Sequence, residues 1–281
     1  MPVETVNLHV WAKCNLHCAY CYGRFPERPP FLRGADWSGI LDDLANEGVR
    51  RVTFSGGEPT LHPDLEPMLA YARQVGLQTS IITNGARLTR AHVELLDVVA
   101  ITADSANDET LILLGRGKDY LRTLRRVAAL IRLPTLLKVN TVVTRLNMAE
   151  DLTPLIRSLR PFKWKPLQFV HVPGENDDSA TALAVRDDEF DGFVSRHAAI
   201  GDELWFAPES ARTIQTTYVM VDPLGRLFQH AEGGHVRSRP LLDIGLRTAL
   251  REVGGYDRLA FEARGGHVDV RRLPMIRGGS T

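Results

Sequence analysis

The sequence predicts an α/β protein built as a partial (βα)6 TIM-like barrel, followed by an extension that closes the open side of the barrel. Short β-like runs recur about every 25 to 30 residues, and a helix-like stretch follows each of them. That rhythm is typical of βα units around a parallel sheet. It stops at Pro173, which predicts a boundary between a barrel of residues 1–172 and an extension of residues 173–281.

Six segments qualify as strands because they are short, rich in β-branched and apolar residues, and bounded by turn or helix signals. They are Thr5 to Val10, Arg51 to Ser55, Gln78 to Thr83, Val98 to Ala103, Leu136 to Val143 and Lys165 to Val172. Six βα units make an incomplete barrel, since the complete form has eight.

Helix-like stretches lie between these strands. The first has Asp36 as its predicted N-cap and stops at Gly48, with Ile40, Leu41 and Leu44 on its apolar face. Further helices are predicted at about Asp64 to Val75, Arg90 to Leu96, Tyr120 to Arg132 and Ala149 to Leu159. In the extension, the predictions are a loop at GENDDSATA, a helix around Asp188 to His197, and a hairpin at TYVMVDPLGRLFQH that turns at Pro223 and Gly225.

The composition is that of an ordinary globular protein, with 44% hydrophobic residues, 24% charged residues and a formal net charge of zero. A zero net charge gives no global field that would attract nucleic acid or anionic lipid, so we expect neither as a direct partner. The sequence also lacks a signal peptide and any apolar run long enough to span a bilayer. We therefore expect a cytoplasmic protein, and a monomer.

The cysteines are the sharpest compositional feature, because all three fall within the eight residues CNLHCAYC, directly after the first strand. They are Cys14, Cys18 and Cys21. An odd, clustered set argues for metal rather than disulfides. Three thiolates on a loop at the carboxyl end of a barrel strand can hold three irons of a 4Fe-4S cluster and leave the fourth iron open. The alternative is a zinc site completed by His9, His17 or His62.

The segment SGGEP, at the end of the second strand, would alone indicate only a tight turn. Together with the three-cysteine loop after strand one, it closely resembles the radical SAM (S-adenosylmethionine) superfamily, in which the open iron chelates SAM. The resemblance implies that Gly56, Gly57 and Glu58 line the methionine end of SAM and that Tyr20 approaches the adenine. Because no cysteine follows Cys21, we expect a single cluster.

Two residues that end strands three and four match positions where polar groups of the superfamily contact SAM. They are Asn84 of TNG and Ser105 of ADS, for which a turn residue and a helix cap are the alternative interpretations. Arg116 in LGRGK is predicted to bind either the SAM carboxylate or a nucleotide.

Strand parity predicts polar side chains on the inner face of the barrel, where they are costly unless paired or bound to a ligand. Strands two, five and six supply cations near their beginnings without a matching carboxylate, namely Arg51, Lys138, Lys163 and Lys165. We expect them to converge on a strongly anionic ligand such as a triphosphate. The alternative is a charged plug with Asp or Glu partners. At strand rise the cations lie roughly 13 Å below the SAM-binding loops, which would leave the ribose near SAM.

A more specific resemblance covers about Val6 to Gly266. The segments LGRGK, KVNTVVTRLN, WKPLQ, PGEN, PES, YVMVD, RLF, LDIG and EARGG occur in the order and approximate spacing of the viperin family, antiviral radical SAM enzymes that dehydrate ribonucleoside triphosphates. The resemblance implies a radical SAM lyase that removes the ribose 4′ hydrogen, loses the 3′ hydroxyl as water and accepts one electron from a donor. The product would be a chain-terminating 3′-deoxy-3′,4′-didehydro nucleotide. CTP is favoured, with UTP or GTP as other choices.

The resemblance also implies roles for individual residues. The positions that match nucleotide contacts are Asn7, Arg51, Lys138, Asn140, Lys163 and Lys165. Tyr218 matches the tyrosine that donates a proton to the departing 3′ hydroxyl, with an ordinary strand aromatic as the alternative. By their level on the strands, Lys138 and Lys165 should lie too deep to touch the ribose. The FLNC segment of animal members is FLQH here and ends in His230, which leaves base preference open.

Two other classes of function stay open. One is a different single-cluster radical SAM enzyme, acting on another phosphorylated metabolite or on a peptide. The other is a cluster-containing scaffold whose partners matter more than turnover. Inward-facing cations favour a substrate that carries phosphate.

Overall fold

The computed structural model describes residues 3–25, 31–214, 217–231, 234–263 and 265–273. A ten-stranded sheet runs through them. Its strands are β1 (Thr5–Trp11), β2 (Arg51–Gly56), β3 (Gln78–Ile82), β4 (Val98–Thr102), β5 (Leu136–Val143), β6 (Lys163–Gln168), β7 (Trp205–Phe206), β8 (Met220–Val221), β9 (Arg226–Ala231) and β10 (Gly234–Pro240). The order across the sheet is β10-β9-β8-β1-β2-β3-β4-β5-β6-β7. Only the pairs β8–β9 and β9–β10 are antiparallel.

Helices follow the strands as the βα rhythm predicts. They are α1 (Gly34–Asn46), α2 (Leu65–Gln74), α3 (Arg90–Glu94), α4 (Asp108–Leu113), α5 (Tyr120–Leu130), α6 (Thr153–Leu159), α7 (Asp177–Leu183), α8 (Asp187–His197), α9 (Ala211–Ile214), α10 (Leu241–Glu252) and α11 (Arg258–Ala263). None of these described helices has both the length and the apolarity needed to cross a membrane.

The main hydrophobic core lies between the helices and the outer face of the sheet. In β1, the side chains of Val6, Leu8 and Val10 are fully buried in this core. The predicted apolar face of α1 is confirmed, because Ile40 and its neighbours on that face are completely buried. Since strand side chains alternate, the residues between them point to the inner face and are available for a site.

All six predicted strands are present, but the bounds predicted for β6 are wrong: it starts two residues earlier, at Lys163, and ends at Gln168 instead of Val172. The prediction of Asp36 as an N-cap is wrong. Arg33 occupies the N-cap position, and its backbone N–H donates a hydrogen bond of 2.9 Å to the Asp36 carboxylate. The predicted loop GENDDSATA is also partly wrong, since α7 begins at Asp177, where acidic residues in the first turn favour the helix. The predicted hairpin is confirmed as β8 and β9.

The sheet curls so that its two sides meet, as in a partial TIM barrel. Lys165 lies on β6 and Tyr218 just precedes β8, six steps away in the sheet order. Their side chains are nevertheless hydrogen-bonded, with 2.6 Å between Nζ and the hydroxyl oxygen. Residues after 173 extend the sheet at both sides, because β7 pairs with β6 and β8 pairs with β1. The division of the chain into two domains stays a prediction.

Candidate active site

A cavity of about 650 Å³ opens on the inner side of the curled sheet. The structure brings to it every predicted site residue except Ser105. Those lining the cavity are Asn7, Cys14, Cys18, Tyr20, Cys21, Arg51, Gly56, Gly57, Glu58, Asn84, Arg116, Lys138, Asn140, Lys163, Lys165 and Tyr218. The cysteine loop and the inward cations therefore belong to a single site.

The glycine pair after β2 holds the start of the cysteine loop by backbone contact. The N–H of Gly57 donates to the carbonyl of Trp11 at 2.6 Å, and the N–H of Glu58 donates to the carbonyl of Lys13 at 2.9 Å. A Cβ at either Gly56 or Gly57 would lie under 3.0 Å from these carbonyl oxygens. Only glycine permits so close an approach of two backbones.

Two further segments hold the rest of the loop. Gly115, at a φ of +79°, brings the turn after α4 so close that a Cβ would strike the carbonyl of His17. From the PGEN segment, Asn176 donates its side-chain N–H to the carbonyl of Tyr20 at 3.3 Å. Ser179 donates its hydroxyl to the carbonyl of Ala19 at 2.5 Å. The loop is thus fixed from three sides before any cofactor binds.

The cysteines fit a cluster that takes one thiolate per iron. None of the three forms a disulfide, and burial raises the pKa of the Cys18 thiol to about 11, so binding iron would displace its proton. Among the described residues, no three His, Cys, Asp or Glu side chains are grouped closely enough to hold a single metal ion. His62, one proposed zinc ligand, instead accepts a hydrogen bond from the backbone N–H of Asp64 at 3.0 Å.

Glu58 connects the ends of β2 and β3. It is 1% exposed, and its carboxylate accepts hydrogen bonds from the Thr83 hydroxyl at 2.6 Å and from the backbone N–H of Asn84 at 2.8 Å. The Asn84 side chain in turn donates to Asn15 Oδ1, within the cysteine loop, at 2.8 Å. Asn84 therefore serves both as a turn residue and as a lining residue of the cavity.

Tyr20 and Arg116 form a buried unit with Asp104, a residue that the sequence prediction missed. The Asp104 carboxylate accepts from the Tyr20 hydroxyl at 2.6 Å and pairs with Arg116 Nε at 2.9 Å. The guanidinium also lies 5.4 Å from the Tyr20 ring centre. Asp104 is completely buried and neutralises Arg116, which favours a role in orienting Tyr20.

Ser105 lies away from the cavity. Its hydroxyl donates to the Glu150 carboxylate at 2.6 Å and accepts from the backbone N–H of Asn107, just before α4. Ser105 is therefore a turn residue before α4, whose N-cap is Asn107, and its contact with SAM stays a prediction.

The cations on β5 and β6 concentrate positive charge at the inner face. The chain has five lysines, and three of them line this cavity. Burial and the charges of Lys165, Lys163 and Arg51 hold the pKa of Lys138 well below its ordinary value. Among the described residues, the Lys138 ammonium has no hydrogen bond or ion pair. A bound polyanion would supply the missing partner.

Lys165 is paired, which corrects the prediction that the inward cations lack a matching carboxylate. Glu209, from the PES segment, forms an ion pair with its ammonium, and both side chains are almost fully buried. The Tyr218 hydroxyl accepts from Lys165 and donates to Glu209, with 2.6 Å between heavy atoms in each bond. The Lys165 ammonium therefore reaches the Tyr218 hydroxyl, and the statement that Lys165 lies too deep to touch the ribose stays a prediction. Strand parity within the barrel does not predict Glu209, because this residue lies after the barrel and is brought beside β6 by its bridge to Leu167.

A parallel barrel whose first strand ends in a cysteine loop clamped by a glycine pair is the architecture of radical SAM enzymes. The model of the radical SAM superfamily matches residues 8–159, more than half of the chain. In structure, SuiB from Streptococcus suis, bound to its precursor peptide SuiA, is similar with a TM-score of 0.69 at 16% identity, over 96% of this chain and 68% of that one. The cofactors of this enzyme are accordingly a 4Fe-4S cluster and SAM.

Sequence relatives define the family more narrowly. The S-adenosylmethionine-dependent nucleotide dehydratase of Selenomonas ruminantium is 38% identical over 79% of this chain and 84% of that protein. The protein of the same name from Flammeovirga pacifica is 31% identical over 91% and 93%. That of Lacinutrix mariniflava is 33% identical over 94% of this chain, which spans 58% of its length. The chain belongs to this family of radical SAM enzymes.

Proposed function

We propose that this enzyme converts a ribonucleoside triphosphate, with CTP favoured, to its 3′-deoxy-3′,4′-didehydro analogue. The observation that carries the proposal is a single cavity that joins the cysteine loop to a group of lysines, one of which, Lys138, has no hydrogen bond or ion pair among the described residues. A peptide without acidic side chains would bring no anion to these lysines. The relatives that are named nucleotide dehydratases support the same choice.

Each part of the cavity has a role in this reaction. When bound, the cluster and SAM supply the one-electron chemistry that removes the ribose 4′ hydrogen. Glu58 and Asn84 stiffen the wall where SAM would lie, and Tyr20 is oriented by Asp104. Lys138 and its neighbours hold the triphosphate, which fixes the ribose beneath the SAM site.

Loss of the 3′ hydroxyl needs a proton, and the structure offers a hydrogen-bonded source. Tyr218 lies between the Lys165 ammonium and the Glu209 carboxylate. As Tyr218 gives its proton to the departing hydroxide, Lys165 can replace that proton through the same hydrogen bond. The C–O bond breaks, water leaves, and one electron from a donor protein completes the didehydro sugar.

The proposal is tested with anaerobically reconstituted enzyme, SAM, a reductant, and each of the four ribonucleoside triphosphates or the matching nucleosides. We expect CTP to raise 5′-deoxyadenosine formation well above background and to yield a product lighter by one water. Cytidine should have little effect, because it lacks the anion that the lysines bind. Equal stimulation by cytidine and CTP would contradict triphosphate anchoring.

A further inference from the structure

A line of three buried titratable side chains, unused by the proposed reaction, ends at the cavity. His235 Nδ1 lies 3.2 Å from the Glu175 carboxylate, and His235 Nε2 lies 3.0 Å from His230 Nδ1. The side chains of His235 and Glu175 are 1% and 7% exposed. His230 stands at the end of this line and lines the cavity.

With both rings neutral, the hydrogen bonds assign the hydrogen of each histidine to one of its nitrogens. An ionised carboxylate only accepts, so His235 must donate from Nδ1 to Glu175. A neutral imidazole has one N–H, which makes His235 Nε2 an acceptor for the N–H at His230 Nδ1. His230 Nε2 then carries no hydrogen and can only accept a hydrogen bond. The Arg237 guanidinium lies 3.6 Å from the same carboxylate and places a cation beside it.

The environment also keeps His230 neutral. Burial and the neighbouring His235 lower the pKa of His230 to about 4. Its ring packs edge-on against Tyr22, with ring centres 5.0 Å apart, which limits its rotation. Among the described residues, Nε2 of His230 has no hydrogen-bond partner. A fixed, unpaired acceptor at a cavity wall selects for a donor on the ligand.

The position of His230 indicates which part of a nucleotide it would meet. The lysines reach the cavity from β5 and β6, and the cysteine loop lies at the end of β1. His230 comes from β9, separated from β1 by β8 alone. With the triphosphate on the lysines and the ribose facing SAM, the wall formed by β9 is left for the base.

We propose that His230 determines base specificity, by accepting a hydrogen bond at Nε2 from an exocyclic amino group. This inference rests on the proposed function. At position 4 of a pyrimidine, cytosine has an amino donor and uracil a carbonyl acceptor. Uracil would place its carbonyl oxygen opposite His230 Nε2, so that two acceptors face each other and neither has a hydrogen-bond donor in a buried site. The expected discrimination between CTP and UTP is on the order of tenfold to a hundredfold.

The test is equilibrium binding of CTP and UTP to the reconstituted holoenzyme with SAM, under anaerobic conditions. The wild type should prefer CTP by about tenfold or more. In His230→Ala the preference should collapse, because CTP loses a partner and UTP does not. Lys138→Met is the matched control, since it should weaken both nucleotides by the same factor and keep their ratio. An unchanged ratio in His230→Ala would overturn the inference.

A second variant tests the relay, meaning the hydrogen-bonded line Glu175–His235–His230, while His230 itself is kept. His235→Phe removes the acceptor for His230 Nδ1–H, so His230 is free to carry its hydrogen at Nε2 and donate to uracil. The CTP preference should then fall or invert. In wild-type protein, ¹⁵N NMR of labelled histidines should find the hydrogen of His230 at Nδ1, whatever the substrate. A hydrogen at Nε2 in the wild type would refute the relay. Failure of every nucleoside triphosphate to bind would instead refute the proposed function.

Discussion

Replacing Lys138 by methionine should stabilise the nucleotide-free protein and weaken nucleotide binding. Methionine has a similar length and fills the same volume without charge. The substitution removes an ammonium whose pKa is lowered by burial and by three neighbouring cations. Replacing a buried ion pair by apolar side chains of similar volume stabilises proteins by up to about 1 to 4 kcal/mol, and we expect a gain of the same order here. Each kcal/mol would raise the unfolding temperature of a chain of this size by about 2 to 4 °C.

The pH dependence of this gain in stability follows from the direction in which the fold shifts the pKa of Lys138. A lysine whose folded pKa is depressed destabilises the fold fully at pH values below that folded pKa. The penalty disappears as the pH rises to the unfolded pKa of about 10.4. Lys138→Met should therefore unfold at a higher temperature than the wild type near neutral pH, and at the same temperature above about pH 10.4.

The same substitution should weaken nucleotide binding. A charge-assisted contact to phosphate contributes about 1.5 to 3 kcal/mol, so Lys138→Met should weaken CTP binding by about 10-fold to 150-fold. A bound triphosphate also restores the pKa of Lys138, so the wild type should take up a proton on binding. Calorimetry in two buffers of different ionisation enthalpy measures that uptake, which should fall in the variant.

The control is Arg125→Met, on the exposed side of α5, which should change neither stability nor binding appreciably. If Lys138→Met lowers the unfolding temperature without nucleotide, or binds CTP as tightly as the wild type, the assignment of an anion site at Lys138 is refuted.

Three further predictions concern other parts of the site. Lys165→Ala should cost about 3 to 5 kcal/mol of unfolding free energy because the buried Glu209 carboxylate loses the ammonium that it pairs with, and adding Glu209→Ala should recover much of that loss in denaturant titrations; additive losses would contradict the pairing. Gly115→Ala should reduce the iron bound per chain far more than Gly117→Ala, since both have positive φ but only Gly115 is crowded by the cysteine loop; equal iron contents would argue against the clamp. Tyr218→Phe should keep nucleotide binding and 5′-deoxyadenosine formation but lower the yield of dehydrated nucleotide per 5′-deoxyadenosine, and a wild-type ratio would make the tyrosine structural.

Much of the fold could be predicted from the sequence, because local signals determine it. The spacing of short apolar runs gave the six barrel strands, and the apolar face of α1 followed from the positions of Ile40 and Leu44. The misplaced N-cap had a local cause. Asp36 does bind the helix start, but from the third position of the first turn.

The candidate site was predicted less completely, because its remaining members come together only through long-range pairing. Asp104 is one residue from the predicted Ser105, yet its burial depends on Tyr20 and Arg116, which are distant in sequence. Glu209 meets Lys165 because its segment aligns beside β6, with Leu167 and Glu209 forming a parallel bridge. Strand parity within the barrel predicts the inward-facing cations, but it cannot predict Glu209 as the partner of Lys165.

The proposed reaction holds the ribose of a triphosphate beneath SAM, where its 4′ hydrogen is removed and water is lost. The most direct measurement uses CTP deuterated at the 4′ carbon, with reconstituted enzyme, SAM and a reductant. We expect deuterium in 5′-deoxyadenosine and a nucleoside triphosphate product that has lost one water. Unlabelled 5′-deoxyadenosine, or labelled 5′-deoxyadenosine with CTP recovered intact, would contradict it.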